Sequence, residues 1–150
     1  MTPDELALLK EEIELLEHAA RNLGNSYEKC TAIGVKKTYS DDELESIEAL
    51  TSRFARTADI LVQRMFRLID ELDLSPAGTV RDRINRAEKK ELIADAHQFV
   101  EIRKLRNTLA HEYKADAPEK IYADVLEHTS ALLDSIERTK QYATSYTEFE

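Results

Sequence analysis

The residues of this sequence best suited to chemistry stand in one short stretch, Arg106-Asn107-Thr108-Leu109-Ala110-His111-Glu112-Tyr113. An imidazole can take or give a proton near neutral pH, and a guanidinium presents a permanent charge in a fork that matches phosphate oxygens. Arg106 and His111 together therefore indicate phosphodiester cleavage without a metal ion. In that chemistry His111 activates a ribose 2′-hydroxyl or protonates the leaving oxygen, Arg106 stabilises the charge on the phosphorane, and Asn107 orients the phosphate.

Arg106 and His111 point in different directions on an ideal helix. Five steps of about 100° separate them by roughly 140°, whereas Asn107 and His111, four residues apart, share a face. One ideal helix therefore does not close the site. Either the helix unwinds near His111, or Arg106 of one copy meets His111 of another copy across a twofold axis.

The arrangement Arg106-x4-His111-x-Tyr113 resembles the Arg-x4-His-x-Tyr motif of HEPN toxins of the HepT type, and Asn107 directly after the arginine also fits the HEPN pattern. The resemblance covers most of the chain by length and helix order, and the octapeptide is its specific part. It implies a homodimeric endoribonuclease that acts on RNA, uses no cofactor and pairs with a minimal nucleotidyltransferase (MNT) antitoxin. It also implies that the antitoxin inactivates the toxin by transferring AMP to Tyr113.

Each of these side chains also has a plainer interpretation. The helix dipole favours an arginine or a histidine near a helix C-terminus, and Tyr113 suits the core or its rim. Two other functions compete with the nuclease. One is a non-catalytic subunit that binds substrate or a nucleotide phosphate for a nucleotidyltransferase, and the other is a structural helical dimerisation module. The module would leave Arg106 and His111 replaceable without loss of any activity.

A basic stripe is predicted on the second long helix. Its four arginines lie within roughly 80° of one another, because eleven residues make almost three turns: Arg53, Arg56, Arg64 and Arg67. The stripe is a weak indication of a track for RNA phosphates leading to the octapeptide. A solvated face paired with nearby glutamates is the plainer interpretation. We predict no metal site, because no convincing set of metal ligands is evident.

Five helices are expected to position these residues. The first begins at the capping sequence Thr2-Pro3-Asp4-Glu5, and its apolar seam extends to Gly34. Gly24 weakens this helix, so the sequence allows both a continuous helix and a break there. The second begins at the capping box Ser40-Asp41-Asp42-Glu43 and closes at Ser75-Pro76-Ala77-Gly78. A short helix is expected from roughly Thr79 to Ala87, and the helix that carries the motif from roughly Ile93 to Ala110. The sequence Asp116-Ala117-Pro118-Glu119 begins a last helix, and the tail is expected to fray from Thr144.

The composition fits one all-α domain spanning residues 1–150. With three glycines, three prolines and a charged fraction of 34%, the chain has few residues for the many tight turns of an all-β fold. A length of 150 residues suits a single core rather than two. We therefore predict an up-and-down bundle of four main helices plus one short helix, which is also the HEPN-like architecture.

Charge and cysteine content narrow the class of protein further. The net charge of -9 argues against a protein that coats nucleic acid through its overall field, so any RNA binding must rest on a local basic patch. The single cysteine, Cys30, cannot form an internal disulfide, which is typical of the cytoplasm. We expect neither an export signal nor a membrane span, because the first residues are acidic and no long apolar run occurs.

Overall fold

The computed structural model describes residues 1–111 and 118–147, which form an all-α bundle as the sequence predicts. Within these ranges there is no strand, and no helix is both long and apolar enough to span a bilayer. The helical elements are α1 (Pro3–Ile33), α2 (Asp41–Asp59), a π segment (Ile60–Met65), α3 (Phe66–Leu72), α4 (Val80–Lys89), α5 (Ala96–Ala110) and α6 (Pro118–Thr144). The π segment joins α2 to α3 without a break, so the described elements make four long rods and the short α4.

The early helices begin where their capping residues predict. The hydroxyls of Thr2, Ser40 and Thr79 each accept a hydrogen bond from the backbone N–H three residues on, at 3.1, 3.2 and 3.1 Å. The carboxylates of Glu43 and Asp82 reach back to the amides of Ser40 and Thr79 at 2.9 Å, which completes two capping boxes. Each cap satisfies helix N–H groups that have no partner within the helix, and contributes about 1 kcal/mol.

Helix α1 is continuous through Gly24, so the break that the sequence allowed does not occur. The helix ends at Gly34, whose φ of 73° suits a residue without a side chain. The buried hydroxyl of Tyr122 donates to the carbonyl oxygens of Cys30 and Gly34 at 3.1 and 3.2 Å. Burial raises the pKa of Tyr122, which therefore stays protonated and ties α6 to the end of α1.

Cross-helix contacts show that neighbouring rods run antiparallel. Arg53 of α2 bonds Ser26 near the end of α1, whereas Arg64, further along the rod, bonds Glu12 near the start of α1. The rings of Phe66 and Phe99 lie 5.7 Å apart and join α3 to α5 in the core. Burial of such apolar side chains is the main source of stability in a bundle of this size.

The π segment is the main departure from the regular second helix that the sequence predicts. Four of its six residues are buried: Ile60, Leu61, Val62 and Met65. Its hydrogen bonds close five residues apart, which widens the turn and changes the direction of every later side chain relative to an ideal α-helix. Such bulges are frequent at functional sites, and this one begins directly after Asp59.

Helix α5, which carries Arg106, begins at Ala96 rather than at Ile93 as predicted. Asp95 has an extended backbone and accepts a hydrogen bond from the amide of His97 at 2.9 Å, which makes it the N-cap. The carboxylate of Glu88 in α4 accepts from the amide of Ala96 at 2.6 Å. Ile93 is buried in the preceding turn. Its apolar character therefore reflects the core and not the helix, and Glu88 fixes the register of α5 against α4.

The end of α6 is held against the bundle by Asp73. Tyr142 and Tyr146 both donate hydrogen bonds to this carboxylate, the first at 2.5 Å, and Lys90 lies 3.0 Å from it. Helix α6 ends at Thr144, and Asp73 holds Tyr146 two residues beyond that end, whereas the fraying of the tail stays a prediction. Burial tends to raise the pKa of Asp73, but the bonds from the two tyrosines and Lys90 outweigh it and lower the pKa.

We predict that Asp73→Asn lowers the free energy of unfolding by about 2 kcal/mol at pH 7, because an amide oxygen cannot replace a carboxylate with three donors. Since folding lowers the pKa of Asp73, its contribution is present above the unfolded pKa of about 3.9 and is lost as pH falls through the lower folded pKa. Urea denaturation at pH 7 and pH 3 measures both effects, with Asp134→Asn in an exposed i,i+4 pair as control. The prediction is contradicted if Asp73→Asn lowers the free energy of unfolding equally at both pH values, or by no more than Asp134→Asn does.

Candidate functional site

Arg106 is held in place by Asp59, the last residue of α2. Its Nε and Nη2 atoms donate to the two carboxylate oxygens at 2.7 and 2.8 Å, which is a bidentate pair. These hydrogen bonds raise the pKa of Arg106, so the guanidinium carries its charge at every physiological pH. The pair uses two of the five guanidinium N–H groups and leaves three that point away from Asp59. Arg106 can therefore donate to a further anion at the edge that faces away from Asp59.

The Arg106–Asp59 pair lies in a groove of about 610 Å³ where α5 crosses the rod made by α2 and the π segment. We call it the arginine groove. Its described lining residues are Arg56, Asp59, Ile60, Gln63, Arg64, Arg103, Arg106 and Asn107. Four guanidinium groups therefore face one carboxylate, on a chain whose net charge is -9. This local excess of positive charge suits a phosphate group, which arginine binds through paired hydrogen bonds.

Two further arginines of the groove are also held by carboxylates. Arg64 donates from Nη2 to Glu12 at 2.7 Å, and Nη1 of Arg103 lies 3.7 Å from Asp59. Glu12 is only 5% exposed, so its charge is costly to bury without Arg64 as partner. A site whose charged groups are fixed before the ligand arrives loses less free energy to reorganisation on binding.

His111 lies directly beyond the end of α5, as its C-cap residue. Its φ of -122° and ψ of 34° are not helical, and its amide donates to the carbonyl of Thr108 at 3.0 Å. Its side chain is exposed. The helix therefore ends at Ala110, as predicted, and the backbone does leave the helical path at His111. His111 is nevertheless not among the described residues that line the arginine groove, whereas Arg106 and Asn107 are.

The arginine groove can bind and polarise a phosphodiester, but acid–base chemistry needs another group. Among the described lining residues there is no histidine, and Asp59, the carboxylate there, is committed to Arg106. A base or acid near neutral pH must therefore come from outside these residues. Tyr113, the predicted acceptor of AMP, lies outside the described residues.

The predicted basic stripe is divided between cavities. Arg56 and Arg64 line the arginine groove. Arg53 lies closer to the N-terminus of α2 and donates to Ser26 at 2.8 Å. Arg67 lies beyond the π segment, does not appear among the described lining residues of the groove, and pairs with Glu71 four residues on at 3.7 Å. Three of the four arginines thus line cavities. Arg64 and Arg67 have the glutamate partners that the plainer interpretation expected.

The sequence patterns did not indicate Asp59, Arg103 or Gln63 as residues of the site. The spacing carried a partial signal, because Arg103 is three residues before Arg106 and Gln63 is four residues after Asp59. Arg56 is in turn three residues before Asp59, so one face of the second helix carries a row of polar side chains beside the core positions. The pairing of Asp59 with Arg106 spans 47 residues and had no signal in the local sequence.

Within the part of the chain that the structure describes, no group of three or more His, Cys, Asp or Glu side chains lies close enough to hold a metal ion. The arginine groove is instead a cationic site, and its charges repel a metal cation. No family model matches this chain, and no curated protein is significantly similar to it.

Proposed function

We propose that this protein is a metal-independent endoribonuclease, the toxin of a HEPN/MNT toxin–antitoxin pair. The observation that carries the proposal is the arginine groove, in which Asp59 fixes Arg106 beside Asn107 and three further arginines surround the pair. Four arginines that line one cavity of an acidic protein create a local positive potential, and such a potential attracts an anion. The octapeptide supplies the second support, because it places His111 five residues from Arg106.

The reaction proposed is an internal transfer at phosphorus. His111 takes the proton of a ribose 2′-hydroxyl, and the resulting oxyanion attacks the adjacent phosphorus to give a 2′,3′-cyclic phosphate. The bond to the 5′-oxygen breaks, and that oxygen leaves with the proton that the His111 imidazolium took from the 2′-hydroxyl. Arg106 stabilises the negative charge that grows on the phosphorane oxygens, and Asn107 donates a hydrogen bond that orients the phosphate.

The divergence of Arg106 and His111 on an ideal helix supports a homodimer as the active form. In that form His111 of one copy supplies the acid–base group to Arg106 of the other, so that each cleft combines two chains. The further partners proposed are the MNT antitoxin and RNA, and the compartment proposed is the cytoplasm. AMP transferred to Tyr113 adds negative charge and bulk two residues from His111, which would repel an RNA phosphate.

A second candidate is a non-catalytic subunit that binds a nucleotide phosphate for a nucleotidyltransferase. The absence of a histidine among the described lining residues of the groove favours this alternative, because a pure binding site needs only the arginines. The two candidates share the bundle and the groove. They differ in whether RNA is cut.

Incubation of the purified protein with single-stranded RNA in excess EDTA tests the proposed function. We expect the wild-type protein to cleave and His111→Ala to cleave about a hundredfold more slowly, as is typical for loss of a general acid or base. Analysis of the products should show 2′,3′-cyclic phosphate ends. Equal, negligible cleavage by both proteins would reject the nuclease and leave the binding subunit.

The same assay, run after incubation with the MNT partner and ATP, tests the role of Tyr113. Mass spectrometry should show one added AMP per chain on the wild-type protein, together with loss of cleavage. Tyr113→Phe should gain no AMP and should stay active. Full modification of Tyr113→Phe would place the acceptor elsewhere.

A further inference from the structure

A second, smaller cavity of about 250 Å³ adjoins the arginine groove between α1 and α2, and we call it the α1–α2 cavity. Its lining residues are Leu15, His18, Ala19, Asn22, Ser52, Arg53, Arg56 and Thr57. Arg56 lines both this cavity and the arginine groove, so the two spaces meet at its side chain. A ligand bound in both spaces would therefore contact Arg56.

The α1–α2 cavity differs in chemistry from the arginine groove. Leu15 and Ala19 give it an apolar part, and no carboxylate occurs among the lining residues that the structure describes. The amide nitrogen of Asn22 lies 3.3 Å from Nε2 of His18, so an amide and an imidazole share one edge. Planar groups that stack together with amide groups that form hydrogen bonds are what proteins use to hold an unpaired nucleobase.

Arg53 marks the far end of the α1–α2 cavity. It is fixed across the helix pair, because Nη1 donates to the carbonyl of Asn22 at 3.1 Å and to Oγ of Ser26 at 2.8 Å. Beyond Arg53 lies a third cavity of about 560 Å³. Its charged lining residues are Lys29 and Arg53 against Asp42, Glu43 and Glu45. The acidic excess there opposes the passage of a phosphate, so a path for an anionic chain ends at Arg53.

We propose that the α1–α2 cavity is a nucleotide subsite, which holds one unpaired base of single-stranded RNA while the neighbouring phosphates contact Arg53 and Arg56. This inference rests on the proposed function, because it names the form of RNA that reaches the arginine groove. The path from Arg53 to Arg64 covers eleven residues, or roughly 16 Å along the helix, which spans a few nucleotides. A paired base could not enter the cavity, since its Watson–Crick edge and both faces are already occupied in a duplex.

An acidic peptide is the competing ligand for a groove rich in arginine. Its carboxylates would pair with the guanidinium groups, but they would leave the apolar part of the cavity and the Asn22–His18 edge unused. A nucleotide uses all three, because it combines a phosphate, a flat apolar face and hydrogen-bonding edges. The combination of these groups within one cavity therefore favours RNA.

Equilibrium binding of short single-stranded 2′-O-methyl RNAs, one for each base, tests the subsite. These probes lack the 2′-hydroxyl nucleophile and stay intact, so binding is measured apart from cleavage. We expect Arg56→Gln to weaken binding about tenfold and to reduce the slope of log K against log salt by about 0.7, the value for one phosphate contact on a single strand. Asn22→Ala should change the relative affinities for the four bases by about tenfold and leave the salt slope unchanged.

Arg67→Gln is the matched control, because it removes an equal charge from the same rod at a residue paired with Glu71. It should bind like wild type. Circular dichroism checks that each variant is folded. If RNA is cleaved but Arg56→Gln and Asn22→Ala bind all four probes like wild type, the subsite is overturned and the nuclease stands. A polyglutamate peptide that displaces the probes and is equally sensitive to Asn22→Ala also overturns the subsite. Failure of every probe to bind the wild-type protein overturns the subsite, whereas the nuclease is rejected only by negligible cleavage in the EDTA assay.

Discussion

Replacing Arg106 with alanine should lower the rate of RNA cleavage by a hundredfold or more while the bundle stays folded. Removal of one preorganised donor from a transition-state site typically costs a factor of about 10² to 10³. Arg106 is the guanidinium that Asp59 orients with two hydrogen bonds, so its position is the best defined in the arginine groove. Arg106→Lys should recover little, because an ammonium group cannot reproduce a planar fork held by two bonds.

The measurement is the single-turnover rate of cleavage in EDTA, with Arg67→Ala as a control that removes an arginine from the same protein outside the groove. A substitution at Asp59 then distinguishes the positioning of Arg106 from its charge. Asp59→Asn keeps the shape but loses the bidentate partner, so we expect a loss of about tenfold in the rate and a small change in RNA affinity. If Arg106→Ala cleaves RNA like the control, the groove is not the place of reaction.

Asp59 also bears on how an RNA phosphate would enter. A carboxylate beside Arg106 opposes a second anion, and a rise in RNA affinity on Asp59→Asn would mean that this repulsion outweighs orientation. The geometry argues for orientation, because the two anions would occupy different edges of the same guanidinium. The neighbouring arginines add positive charge at Arg56, Arg64 and Arg103. Binding by several such contacts should weaken steeply as salt rises.

Local sequence signals account for most of the fold. Side chains that cap their own helices, such as Ser40 and Thr79, act over three residues, and the structure confirms them. These local signals fail where contacts between distant parts of the chain determine the structure. Ile93 is apolar because the core needs it, not because it belongs to α5, and Tyr146 is held by Asp73, which lies 73 residues earlier. The π segment likewise places three consecutive buried residues, Ile60, Leu61 and Val62, against the core.

The candidate site was predictable in its residue types and not in its geometry. The octapeptide pointed to Arg106, Asn107 and His111, and the groove contains the first two. Asp59 is an isolated carboxylate between the buried residues Ala58 and Ile60, which is a weak signal for a group that must find a partner. Which partner it finds depends on how α5 crosses the rod. That crossing is set by packing of the whole bundle.

The place of His111 leads to the second large effect, which is the recovery of activity by mixing two inactive variants. Arg106→Ala and His111→Ala should each be inactive as homodimers. In a heterodimer of the two, one cleft would combine both substituted residues, and the other would combine intact Arg106 from one chain with intact His111 from the other. We expect the heterodimer to recover about half of the wild-type cleavage rate, since one of two clefts is complete.

Co-expression of the two variants with different affinity tags, followed by purification through both tags, isolates this heterodimer. The controls are each variant co-expressed with a differently tagged copy of itself, which should stay inactive. If Arg106 and His111 act within one chain, every chain of the heterodimer still lacks one of them and no activity returns. If no protein passes both tags, the chains do not associate and the shared cleft is wrong. Recovery to about half therefore requires that the two residues, which would diverge on an ideal helix, meet between two chains.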